Sequence, residues 1–163
     1  MNFRNFLFWL AALTSLVLDR LTKVWVVQTF ELTVPADTWP LWRNVFHFTY
    51  VINTGAAFSL FQGVDWLRWL SLLVCLVLVG VGLLNSRLLV WEQAGYGFLL
   101  GGAAGNGIDR WVTGHVVDFL DFRLIQFPVF NVADIAINLG LACLLFSAWR
   151  HGGSHRKDNA PSP

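Results

Sequence analysis

NGIDRWVTGHVVDFLDFRLIQFPVFNVAD, residues 106–134, is the stretch whose reading decides this chain. It lies between two long apolar runs and carries Asp109, Asp118, Asp121 and Asp134, four of the ten acidic residues in the sequence. Carboxylates beside a bilayer are expensive, and their usual reasons for being there are chemistry or ion movement. The stretch therefore predicts a polar hairpin between two membrane helices, with a functional site built on its acids.

The rest of the composition agrees. Of 163 residues, 56% are hydrophobic and only 13% charged, against roughly 25% charged for a soluble domain. The mean hydropathy is +0.57. These values describe a single integral membrane domain, taken as residues 1–150, followed by a polar tail, 151–163, read as disordered and cytoplasmic. A net charge of +1 with no basic stripe argues against a nucleic-acid partner. Cys75 and Cys143 lie within apolar runs, spell neither a disulfide framework nor a zinc site, and read as small buried side chains. No metal and no cofactor is called for.

Working outward, four runs have the length and apolarity of membrane helices: about Phe6–Val27, Trp66–Ser86, Ala94–Arg110 and Val129–Trp149. The first has Arg4 before it, like a signal peptide, but no small-residue cleavage site ends it, so it reads as an uncleaved span. Arg150, Arg156 and Lys157 cluster just after the last span, which places both termini in the cytoplasm. Two segments then face the other side: about Gln28–Asp65, and the acid-rich hairpin. Within the first, FHFTYVIN (46–53) is aromatic and β-branched and predicts a strand or hairpin. VINTGAAFSLF (51–61) turns through Asn53-Thr54-Gly55 into small residues. Trp25, Trp39, Trp42, Trp66, Trp69 and Trp111 gather near this face, as amphipathic rings do at the headgroup layer.

Several constellations could carry chemistry. Asp19 and Lys23, one helical turn apart, predict an ion pair that holds a helix end, or a contact with lipid or substrate. Asn53 belongs either to a simple turn or to a site where its amide holds a peptide or a carboxylate. Asn106, Asp109 and Arg110 share a helix face, and the neighbouring arginine predicts an ionised, structurally paired Asp109. Asp121, followed by Phe122-Arg123, is expected to be merely solvated. Asp118 sits among apolar neighbours that raise a carboxylate's proton affinity, or else in a solvated loop. Asp134 opens the fourth span, where it either caps the helix or works with Asp118. Two such carboxylates on one membrane face predict an aspartic dyad sharing a proton, one group activating water and the other polarising a carbonyl. His47 and His115 bring no serine motif with them. The rival reading, a small transporter or proton channel, wants acids spaced through the bilayer depth, whereas here they gather at one face. A non-catalytic scaffold would leave the pair without a purpose.

At these residues the chain resembles the lipoprotein signal peptidases, or signal peptidase II. Asp19-x-x-x-Lys23, Asn53-Thr-Gly-Ala-Ala-Phe58, Asn106-x-x-Asp109-Arg110 with Val116-Val117-Asp118-Phe119, and Phe130-Asn131-Val132-Ala133-Asp134 match the family's blocks in order. The resemblance implies an all-α membrane protein of four transmembrane helices with a small extracytoplasmic β-cradle, and a helix or loop over the site. It implies Asp118 and Asp134 as catalytic residues, with Asn53, Asn106, Asp109, Arg110, Asn131, Asp19 and Lys23 supporting or binding substrate. The implied substrate is a diacylglyceryl-modified prolipoprotein, cut just before its lipidated cysteine in the bacterial cytoplasmic membrane. Membrane lipid and globomycin-type inhibitors are the other partners it implies.

Overall fold

The computed structural model describes residues 5–55, 66–85, 87–125 and 127–152. Four helices, α1 (Phe6–Thr29), α2 (Trp66–Leu84), α3 (Val90–Val112) and α4 (Val132–Gly152), are joined by three strands, β1 (Thr38–Trp42), β2 (Phe46–Asn53) and β3 (Val116–Phe122). The protein is mostly helical, with one small antiparallel sheet in the order β1-β2-β3. α2 and α4 are long and apolar enough to cross a membrane by length and composition. α1 misses that mark because every 18-residue window within it holds Asp19, Arg20 and Lys23.

α3 packs along each of the other three helices, and glycine makes this close approach possible. Gly97, Gly101 and Gly105 recur every fourth residue, so they share one face, and a methyl on any of them would collide with α1 at Phe8 and Ala11, Ala12 and Ser15, or Asp19. Gly102 meets Ala133 and Ile137 of α4 in the same way, and Gly107 lies against Ser71 of α2. Small residues let helix backbones approach where no hydrophobic force operates between them. At the end of the bundle away from the sheet, Asn5 closes the structure. Its amide donates to the carbonyls of Gly82 (3.1 Å) and Asn85 (2.7 Å), joining α1 to the end of α2.

The sheet forms as FHFTYVIN predicted, with two strands that hydropathy did not reveal. β1 and β2 form a hairpin whose tight turn places Asn44 in the left-handed region (φ 58°), which asparagine tolerates; Val45 N–H closes the turn on Trp42 C=O at 3.0 Å. β3 pairs with β2 across a bulge: Phe48 faces Leu120 and Val51 faces Asp118, so Thr49 and Tyr50 together oppose Phe119. Bulges of this kind re-aim side chains. On the other side of β3, Phe130 exchanges backbone hydrogen bonds with Leu120. That short bridge sets Asn131, and with it the start of α4, beside β3. Val26 of α1, Val117 and Phe119 form the core that fixes the sheet to the bundle, with Phe30, Phe48, Tyr50 and Val132 packed around them.

Two expectations fall elsewhere. Residues 56–61 of the VINTGAAFSLF run and 153–163 of the tail lie outside the described residues. Asp118 is not a loop acid: it is a strand residue, 2% exposed.

Candidate active site

The site is built where the ends of α1, α3 and α4 meet the edge of β3. Asn131, fully buried, precedes the first residue of α4 and organises the carboxylates. Its side-chain oxygen accepts the Asp134 backbone N–H at 3.0 Å, and its own backbone N–H donates to Asp134 Oδ2 at 3.1 Å. This reciprocal pair is a capping box, in which helix-start residues satisfy two otherwise orphaned donors. The same side chain's Nδ2 donates to Asp118 Oδ1 at 2.6 Å and to Asn106 Oδ1 at 3.0 Å. One residue therefore holds both carboxylates at once. The cap and dyad readings of Asp134 do not compete, because the cap aims the carboxylate.

The remaining carboxylate oxygens also meet neutral amides. Asn53, at the end of β2, donates to Asp118 Oδ2 at 2.9 Å, and its own oxygen accepts Gly55 N–H at 2.9 Å. Asn106 donates to Asp134 Oδ1 at 2.9 Å. Amide donors orient a carboxylate without cancelling its charge, and each oxygen retains a second lone pair. Burial dominates at Asp118 and, with Asp134 as a like charge, outweighs the two asparagine bonds and the more distant Lys23. Its carboxyl is pushed up from 3.8 to about 6.

Beneath this pair is a ring of alternating charges. Lys23, 3% exposed, reaches Asp19 Oδ2 (2.9 Å), Asp109 Oδ2 (2.8 Å) and Asn106 Oδ1 (2.9 Å), which uses all three of its ammonium protons. Arg20 Nη2 bridges the same two acids, at 2.5 Å to Asp109 Oδ1 and 3.4 Å to Asp19 Oδ2. Asp19 Oδ1 accepts Ala133 N–H at 3.0 Å, so a carboxylate of α1 holds the first turn of α4. Asp109 also accepts Val117 N–H at 3.4 Å, tying α3 to β3.

Three expectations change here. Asp109 is paired, but with Arg20 and Lys23 rather than Arg110. Adjacent helix positions diverge, and Arg110 instead donates to its own Asn106 C=O (3.3 Å) and across to Gly55 C=O (3.1 Å). Asp121 is not solvated. It is buried, accepting from Thr49 Oγ1 at 2.7 Å and Arg123 Nε at 2.8 Å, because the β2–β3 pairing covers it. The Asp19–Lys23 pair forms as expected and reaches further than a helix end, into α3 and α4. Arg20 was overlooked in the sequence, although a third charge within one turn of an apolar helix was itself the signal. His47 is buried against Thr38, whose Oγ1 lies 2.7 Å from Nδ1.

The fold is similar to those of solved bacterial membrane enzymes. One solved by the in meso method at 2.3 Å aligns with TM-score 0.81 and 25% identity, over 94% of this chain and 93% of that one. A second, at 1.9 Å, aligns with TM-score 0.76 and 26% identity, over 87% of this chain and 92% of that one. Among sequences, a lipoprotein signal peptidase of Acaryochloris marina is 63% identical over all of this chain and 99% of its own length. Another, from Cyanothece sp., is 61% identical over all of this chain and 97% of its own. The family described as signal peptidase (SPase) II matches residues 11–150. The chain belongs to the signal peptidase II family, membrane proteases of signal-peptide processing.

Proposed function

We propose that this protein is an aspartic endopeptidase that removes the signal peptide from diacylglyceryl-modified prolipoproteins, cutting immediately before the lipidated cysteine. The observation that carries the reading is the single residue, Asn131, hydrogen-bonded to both Asp118 and Asp134. With one proton between them, the ionised carboxylate takes a proton from water as its oxygen attacks the scissile carbonyl. The protonated partner donates to the carbonyl oxygen, giving a neutral tetrahedral diol. Collapse breaks the C–N bond, the amine leaves protonated by a dyad carboxyl, and the other carboxylate recovers a proton from the diol. Asn53, Asn106 and Asn131 hold the pair, Arg110 holds the Gly55 carbonyl beside it, and Asp19, Lys23 and Asp109 fix the helices beneath.

In the same reading residues 1–150 are one peptidase domain. All four helices cross the bacterial inner membrane, both termini are cytoplasmic and the dyad faces the extracytoplasmic side. The outward apolar side chains of α1 and α2, such as Leu13, Leu21, Leu73 and Leu76, suit contact with lipid. A substrate anchored by its diacylglyceryl chains reaches such a site by lateral diffusion, and the sheet offers strand-like contacts to its extended peptide. Globomycin-type inhibitors would compete for the same ground.

The test is processing of a diacylglyceryl-modified prolipoprotein by purified protein, with mass analysis of the product. Release of a fragment beginning at the lipidated cysteine is expected; a cut elsewhere, or equal cutting of the unlipidated precursor, would overturn the substrate assignment.

A further inference from the structure

Arg20 stands apart from the residues that the chemistry uses, and its contacts give it a part in that chemistry. It is the fourth member of the closed ring Asp19–Lys23–Asp109–Arg20, two anions and two cations with side-chain exposures of 0%, 3%, 7% and 31%. The ring sums to zero. Among the described residues, Arg110 of α3 is the cation within electrostatic reach of both Asp118 and Asp134 outside the ring, and the singly protonated pair carries one negative charge. Asp118 comes from β3, Asp134 from α4, Asp109 from α3, and Asp19, Arg20 and Lys23 from α1. The ring communicates with the dyad through Lys23, whose third proton goes to Asn106, the amide that donates to Asp134.

Without Arg20, Asp19 and Asp109 would share Lys23 alone, leaving one uncompensated negative charge below a pair that must itself hold one. We infer that Arg20 is a positioning residue for the reaction, whose charge balances the buried ring and thereby sets the pH window in which the dyad keeps a single proton. This rests on Asp118 and Asp134 being the reacting groups. The bridge runs through Nη2 only, and Arg20 Nε is buried without a hydrogen-bond partner among the described residues. Arg20 therefore acts here as a point charge rather than a two-pronged fork, and an ammonium can replace it.

The experiment measures kcat/KM against pH for the parent, Arg20→Gln, Arg20→Lys and the double variant Arg20→Gln/Asp109→Asn, in one detergent at fixed ionic strength. Losing a unit charge on the order of 10 Å away, at an effective dielectric of about 20, moves a proton affinity by roughly one pH unit. Loss of a positive charge makes ionisation harder, so both limbs of the Arg20→Gln profile should move upward by about that amount. Arg20→Lys should keep the parent's limbs. The double variant, which removes one charge of each sign, should return them toward the parent whatever its maximal rate. Asp118→Asn, run alongside, tests the underlying reading separately: activity there removes the dyad, whereas its loss leaves the dyad in place. An Arg20→Gln profile that is lower but unmoved, as a purely structural role would give, would overturn the proposal.

Discussion

Replacing Gly105 with alanine should damage this protein, although alanine is the better helix former. A methyl at Gly105 would stand 2.5 Å from Asp19 Oδ2 and 3.0 Å from its Cγ, with Ala133 Cβ at 3.4 Å behind. The carboxylate is no flexible tip that can swing away. Lys23 and Arg20 hold one oxygen and Ala133 N–H the other. Displacing it leaves buried charge uncompensated, at a cost of about 3–5 kcal/mol, against a gain of about 1 kcal/mol in helix propensity. The net loss is about 2–4 kcal/mol, or roughly 5–15 °C in thermal midpoint for a domain of this size. Because Asp19 holds the first turn of α4, Asp134 moves with it, and a misplacement on the order of 1 Å costs roughly 100-fold in rate. Thermal unfolding in detergent and turnover of the folded fraction measure the two losses separately. Gly80→Ala is the control: nothing lies within 4 Å of a methyl there, so stability should hold or rise by up to about 1 kcal/mol. A Gly105→Ala protein as stable and active as its parent would refute the role given to the Asp19 node.

Three further outcomes follow from the geometry. The Asp118 carboxyl, raised from 3.8 to about 6, destabilises the fold once ionised. Its contribution is therefore fully present below its ordinary value and lost as pH rises through about 6. The stability of Asp118→Asn relative to parent should accordingly improve by roughly 2–3 kcal/mol between pH 4 and pH 7, and a difference independent of pH would contradict the burial argument. Asn131→Asp keeps an oxygen for the helix cap but sets a carboxylate against Asp118 and Asn106; turnover should fall by about 100-fold or more, and an unchanged rate would separate Asn131 from the chemistry. Asp121→Ala strands the Thr49 hydroxyl and the Arg123 guanidinium, lowering stability by about 1–3 kcal/mol. Its turnover per folded molecule should match the parent, so a specific loss of rate would draw Asp121 into the site.

Much of this was legible in the sequence. The four apolar runs became α1 to α4 with ends a few residues away, and FHFTYVIN is β2 residue for residue. These carry strong signals: length and apolarity in one case, β-branched and aromatic residues in the other. β3 was hidden because Val116, Val117, Asp118 and Phe119 are all buried, so the polar–apolar alternation that marks a half-exposed strand is missing. TWPLW gave no warning of β1, since Pro40 argues against a strand and is tolerated only at an edge, where β1 lies. Asp118 and Asp134 stood out because no basic residue adjoins them in sequence. Asp109 and Arg110 misled because sequence neighbours on a helix point apart, and the true partners, Arg20 and Lys23, come from another helix 86 or more residues away. Local chemistry marks which carboxylates are unusual. Which partners they find depends on the glycine-lined contact between α1 and α3, which no local pattern encodes.

The central claim is that Asp118 and Asp134 act as one catalytic unit. Its most direct test is cleavage of a diacylglyceryl-modified prolipoprotein by purified Asp118→Asn and Asp134→Asn proteins, each shown by its thermal midpoint to be folded. Both variants should fold and neither should cleave. Undiminished cleavage by either folded variant would contradict the claim.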